Sequence, residues 1–264
     1  MKHLDTKNLR RILFLVLGVF FVACGSIDPD PPEDADGNPI PLPPPGEPWL
    51  IITEILPDEA LSPHPTISIT FNSYLDPSSF TSFGFAQLRS GGFVYGGRTE
   101  YFMARKELRF RPNNPMFADL VYELSLPGRS SLRSVQGSPL HPLVLLPRYH
   151  VRADRPYTDP IERPRVTWEE VEEIFDAHCN ACHGDPSWQL PTLDRQGLVG
   201  VTSTQVEFPL VEPYSPARSY LMHKILPDYP QRRFTVQPPP YSDADPLTTE
   251  QIETIEHWIA HGAR

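Results

Sequence analysis

The stretch Val166-Thr167-Trp168-Glu169-Glu170-Val171-Glu172-Glu173-Ile174-Phe175-Asp176-Ala177-His178-Cys179-Asn180-Ala181-Cys182-His183-Gly184 separates two kinds of sequence. Within it Trp168, Val171, Ile174 and Phe175 recur at helical spacing and form one apolar stripe. Thr167 and Glu170 match a capping box, in which each side chain satisfies a backbone N–H that the first helical turn leaves without a partner. Val166 and Val171 match the accompanying hydrophobic staple. The pattern predicts an amphipathic helix that ends at a pair of cysteines.

Upstream, over residues 49–152, the period is two. Ile67, Ile69 and Phe71 alternate with Ser68 and Thr70, Leu108 and Phe110 with Arg109 and Arg111, and Tyr122, Leu124 and Leu126 with Glu123 and Ser125. Such strands have one buried face and one wet face. Residues 50–56, 83–88, 93–95, 99–103 and 148–151 supply further strands, and this many short strands predict an all-β sandwich. Pro65 to Asn72 running into Leu75-Asp76-Pro77-Ser78-Ser79, together with Leu108 to Pro112 and Tyr122 to Leu126, resembles the bacterial Ig-like domain of the S-layer-protein type. The resemblance implies a spacer or contact module and no catalysis. His64, His141 and His150 lie near prolines and read as exposed or structural histidines.

Downstream, residues 153–165 form a linker carrying Pro156, Pro160 and Pro164, and the region 166–264 follows. A second helix is predicted from Ser215-Pro216, with Leu221 and Ile225 on its buried side. The last helix repeats the grammar of the first. Thr248 and Gln251 match a capping box, Leu247 and Ile252 its staple, Ile252, Ile255 and Ile259 a stripe, and Gly262 a stop. Amphipathic helices at both ends of the region can pack on one another.

A chain of 264 residues has room for two modest domains once a leader and linkers are set aside. Its 33 prolines against 15 glycines belong in linkers, turns and strand edges. Residues 1–24 read as an export leader: Lys2, Lys7, Arg10 and Arg11 precede an apolar run from Ile12 to Val22 that is too short for a permanent membrane span. Phe21-Val22-Ala23-Cys24-Gly25 resembles a bacterial lipoprotein signal, which implies cleavage before Cys24 and its lipidation; the alternative is an ordinary secretory leader. Without residues 1–23 the chain has 19 basic and 32 acidic residues, a net charge of −13, which disfavours nucleic acid and anionic surfaces as partners. Residues 25–48 are a proline-rich spacer that reaches roughly 70 Å if extended as polyproline II.

Of three cysteines, Cys179 and Cys182 remain beside Cys24, and they form Cys179-Asn180-Ala181-Cys182-His183, a C-x-x-C-H sequence. Two thiols about one helical turn apart can each join a vinyl group of one haem by a thioether, and the adjacent histidine then meets the iron. A structural zinc site, which normally has four ligands, a thioredoxin-like redox pair and a local disulfide are the competing readings. Residues 166–264, through Ile174-Phe175, Cys179 to Gly184, Ser219-Tyr220-Leu221, Lys224, Ile255, Trp258-Ile259 and Gly262-Ala263, are similar to the small single-haem cytochrome c domain of exported bacterial proteins.

That resemblance implies an all-helical fold, one covalent haem c held by Cys179 and Cys182, proximal iron ligation by His183, and electron transfer. It also places the distal methionine before the last helix, where this chain has Gln237 in Val236-Gln237-Pro238. Met222, the only methionine after the haem motif, is the first alternative distal ligand. His223, an open or Gln237-bound iron, and His257 or His261 are the others. The expectation is thus a multidomain chain, an Ig-like β-sandwich followed by an α-helical cytochrome c-like domain, lipid-anchored in the cell envelope on the outer-membrane or periplasmic face. It would serve a redox partner protein as an electron carrier rather than a stand-alone enzyme. A haem enzyme or gas-binding protein with an open iron position, and an envelope docking protein acting through its β domain, are the alternatives.

Overall fold

The computed structural model describes residues 42–264 apart from 59, 82, 119, 155–162, 186–189 and 231. The leader, Cys24 and most of the spacer lie outside the described residues. Eight strands come first: β1 (Ile52–Leu56), β2 (Ala60–Leu61), β3 (Ile67–Phe71), β4 (Phe83–Ser90), β5 (Phe93–Phe102), β6 (Glu107–Pro112), β7 (Val121–Ser125) and β8 (Arg148–Val151). Five helices follow: α1 (Trp168–His178), α2 (Asn180–His183), α3 (Arg195–Leu198), α4 (Tyr220–Ile225) and α5 (Thr249–Ala260). No helix among the described residues is long and apolar enough to cross a membrane.

The two-residue alternation settles into strands as expected. In β3 the burial runs Ile67, Ile69 and Phe71 inward with Ser68 and Thr70 half-covered between them. The strands do not divide into two hydrogen-bonded sheets. They form one sheet in the order β1-β3-β6-β5-β4-β7-β8-β2, antiparallel except for the β2–β8 pair. Leu61 of β2, Ile69 of β3, Phe110 of β6 and Tyr149 of β8 meet in one apolar interior, so the sheet curls on itself to enclose it. Irregular pairing within β1 and β4 supplies the bends that curling needs. Each of these fully buried side chains stabilises the fold by about 1.5–3 kcal/mol.

One strand departs from its sequence pattern. Residues 93–95 and 99–103 read as separate strands broken at Gly96-Gly97, yet β5 runs unbroken through both glycines, pairing with β4 before them and with β6 from Gly97 to Phe102. At Gly97 a Cβ would run into the Arg111 carbonyl on β6, so the glycine permits a close strand approach rather than a turn.

The helical region keeps its predicted ends. Glu170 reaches back to the Thr167 N–H at 2.7 Å, and at the last helix the Thr248 hydroxyl accepts from the Gln251 N–H at 3.2 Å while Gln251 accepts from the Thr248 N–H at 2.9 Å. Gly262, at φ +96°, ends α5 in the left-handed region, where a side chain would also strike Tyr214. The Trp168 and Trp258 rings sit 5.2 Å apart where α1 packs on α5. The second helix begins later than expected: Pro216–Arg218 is a single 3-10 turn, and α4 starts only at Tyr220, after the N-cap Ser219.

Residues 153–165 were expected to separate two independent bodies. Of the segment's two described ends, the second plants Arg163, 9% exposed, between the sheet and α5. Its Nε donates to Glu100 at 3.0 Å and its Nη1 lies 3.1 Å from Glu256. The helical core also takes in Tyr74 and Met103 from the β region. Residues 42–264 form one compact unit by their contacts.

His257 lies at this junction, its ring edge-on to Phe102 at 6.1 Å and its Nε2 without a hydrogen-bond partner among the described residues. Burial, and after it the positive charge of Arg163, lowers its pKa from 6.5 to about 4, with Glu253 opposing and His261 and Arg109 adding to the fall. The unfolded chain therefore takes up a proton near pH 6.5 that the folded chain refuses until about pH 4. Stability from this group is fully present above about 6.5 and is lost as the pH falls through that window. Thermal melts between pH 7 and 4.5 should show a steeper loss in the native chain than in His257→Gln; equal slopes would refute the assignment.

Candidate haem-attachment site

The geometry of the motif follows from how α1 ends. Cys179 caps the helix, its N–H still bonded to the Phe175 carbonyl at 2.8 Å, and its backbone leaves the helical region at φ −127°, ψ −37°. The chain then resumes as the single turn α2, in which the Cys182 and His183 N–H groups both return to the Cys179 carbonyl, at 3.2 and 3.1 Å. Asn180 ties this turn to α1 by donating to Asp176. The two thiols are unbridged, each half-buried, on consecutive turns.

The Cys179 side chain packs against the helical core, and this burial, with the neighbouring Cys182 as a lesser cause, pushes its thiol from 9.0 up to about 11. The Cys179 sulfur thus stands as a thiol at neutral pH.

Among the described residues, His183 is held from one side. Its Nδ1 lies 2.8 Å from the Pro191 carbonyl oxygen, and since a carbonyl can only accept, Nδ1 carries the proton. The lone pair then resides on Nε2, which has no hydrogen-bond partner among the described residues. A backbone carbonyl on the far nitrogen also fixes the ring plane and raises the basicity of the ligating nitrogen. Sequence reasoning named His183 but not Pro191. A main-chain oxygen has no side-chain signature, so no residue type announced it.

The other candidate ligands fare differently. Met222 is fully buried on α4 in the apolar cluster that contains Phe175 and Trp258 and on which Cys179 packs, so a thioether and a thiol of the motif share one interior. His223 is also buried, but its Nε2 donates to the Ala217 carbonyl at 3.0 Å and its ring stacks on Tyr229 at 4.3 Å. Burial lowers its pKa, so the ring is neutral at pH 7. Gln237 is half-buried, and its N–H donates to the Lys224 carbonyl at 2.8 Å. His261 donates through Nδ1 to the His257 carbonyl at 2.9 Å, and His257 turns toward Phe102 of the sheet. His178, next to the motif, spends both nitrogens: Nδ1 donates to the Asp245 carbonyl and Nε2 accepts from Gln251, each at 3.0 Å. That pair of bonds pins the end of α1 to the start of α5.

No family model matches the chain, and no curated protein matches it. Among solved structures it is similar to the S-layer protein SbsC, at 10% identity and a TM-score of 0.30, over 39% of this chain and 13% of that one. It is also similar to PcoC, a methionine-rich copper resistance protein from Escherichia coli, at 19% identity and a TM-score of 0.29, over 40% of this chain and all of that one. Likenesses this loose carry no function across.

Proposed function

We propose that this chain is an exported, membrane-anchored c-type cytochrome that carries one covalent haem and passes single electrons to a redox partner protein in the cell envelope. The observation that carries the reading is His183, whose Nδ1–H is committed to the Pro191 carbonyl while Nε2 has no hydrogen-bond partner among the described residues, directly after two unbridged thiols. Cys179 and Cys182 would hold the macrocycle through thioethers, and His183 Nε2 would bind the iron. A haem so bound supplies one-electron chemistry with little rearrangement of its surroundings. Val171, Phe175 and Trp258 would keep water from its face, and Met222 is the thioether proposed for the distal side. Cys24 would anchor the chain by lipid, with residues 25–48 as the tether.

An open iron position that admits a small ligand is the second reading. It is favoured by Gln237 standing where the resembled family has methionine, and by the engagement of His223 Nε2 with Ala217.

The test is the optical spectrum of the purified mature protein, oxidised and reduced, before and after extraction with acidified organic solvent. Haem should stay with the polypeptide; haem that leaves with the solvent, or none at all, overturns the proposal. Reduced protein that resists carbon monoxide, and binds it promptly once Met222 is replaced by leucine, identifies the distal ligand as Met222. Prompt binding by the native chain identifies the open site instead. A mature mass lacking added diacylglycerol would remove the anchor at Cys24.

A further inference from the structure

A groove of about 640 Å³ runs along the sheet between residues 51–55 and residues 143–147. Side chains of an extended strand alternate between faces, so five consecutive residues can border one groove only if it follows the edge of the backbone. The pairing agrees, for among the described residues β1 ends the sheet and bonds only to β3, with no strand along its outer edge. The opposite wall is an extended run between Pro142 and Pro147 that leads into β8. Apart from the short Val144-to-Pro142 bond and the Pro147 carbonyl accepting from Leu124, no backbone hydrogen bonds are made by residues 144–147 among the described residues. The groove thus has the outline of a missing strand.

Its lining is apolar in a way a solvated edge is not. Leu145 is 97% exposed, Leu143 84% and Ile51 44%. Soluble proteins usually blunt a free edge with lysine, proline or a covering loop, and a bare apolar edge invites another strand. Charge selects among occupants: Glu54 and Asp58 line the groove, and no lysine or arginine does. A second copy of a chain with net charge −10, its own acidic spacer, and an anionic lipid surface are all repelled.

We propose that this groove receives an extended segment of a different polypeptide, which adds as a strand to β1, buries alternate apolar side chains against Leu143 and Leu145, and presents lysine or arginine to Glu54 and Asp58. Main-chain bonds along β1 would give affinity and the alternating pockets specificity. The inference stands apart from the haem reading, since it uses no residue beyond 147.

The probe is a capped heptapeptide of alternating lysine and valine, titrated into the full mature chain. Saturable binding is expected, with slowed amide hydrogen exchange confined to residues 51–56. The double variant Leu143→Ser/Leu145→Ser, altered only at exposed positions, should bind about tenfold more weakly. Proline at the central position of the peptide should have a similar effect. Equal binding of an alternating lysine–glycine peptide would reduce the effect to bulk charge and overturn the proposal. So would unchanged affinity in the double variant, self-association that the double variant abolishes, or adsorption to phosphatidylcholine vesicles through the same leucines.

Discussion

Serine at both Cys179 and Cys182 is expected to abolish covalently bound haem, and serine at either one to diminish it. The expectation rests on chemistry rather than folding. A thiol adds across a vinyl group to give a thioether and a hydroxyl does not, whereas every backbone bond that shapes the motif survives the substitution. The Cys179 N–H to Phe175 and the His183 N–H to the Cys179 carbonyl involve no sulfur. Burying a serine hydroxyl in place of the Cys179 thiol costs about 1–3 kcal/mol if it finds no partner. The helical region has interior to absorb that cost, because Val171, Phe175, Met222, Ile255, Trp258 and Ile259 are each essentially buried. These side chains pack into one cluster. The double variant should therefore keep its far-ultraviolet helical signal while haem staining on a denaturing gel falls to background. Undiminished staining would sink the covalent reading. His183→Ala should behave in the opposite way, retaining stain while the spectrum of the axially ligated iron changes, since the thioethers depend on the sulfurs alone.

What could be read ahead of the structure was local. Capping pairs at Thr167 and Thr248 are separated from their partners by three residues, and alternation in β3 spans five, so their physics is complete within a short window. The motif belongs to the same class. What could not be read depends on distant parts of the chain. Strand order joins β4 to β7 and β3 to β6, and nothing in any one strand encodes its neighbour. Gly96-Gly97 has the composition of a turn, and only the approach of Arg111 explains its place inside a strand. Arg163, in a proline-rich charged segment, carried every mark of a solvated linker. Its burial depends on an acidic partner ninety-odd residues away.

That partner yields the largest expected loss of stability. Glu256 sits on α5 among Ile252, Ile255 and Ile259, where a sequence reading puts a solvated charge, yet it is fully buried. Its Oε1 accepts from the Met103 N–H at 2.8 Å and its Oε2 from the Ala104 N–H at 3.1 Å, both in the 3-10 turn between β5 and β6. Arg163 lies 3.1 Å from the same carboxylate, its guanidinium 4.0 Å from the centre of the Phe102 ring. Removing the carboxylate strands one buried and one part-buried amide donor and half of an ion pair, so Glu256→Ala should cost about 3–5 kcal/mol. Glu256→Gln retains an acceptor but points an NH₂ toward one donor, and its cost should be smaller. Arg105, which grips Glu253 one turn away, is the control: the pair is partly exposed, and Arg105→Ala should cost no more than about 1 kcal/mol. If Arg163 and Glu256 act as a unit, the double variant Arg163→Ala/Glu256→Ala should be less damaged than the sum of the singles, by about 0.5–3 kcal/mol. Urea melts followed by tryptophan fluorescence measure all five, the Arg163→Ala single included. Glu256→Ala melting within about 1 kcal/mol of the native chain would show that this contact does not fasten the helices to the sheet. A loss of the expected size with separate transitions for the two regions would show that it does, and that the segment 179–183 is held to the β region largely through one buried carboxylate.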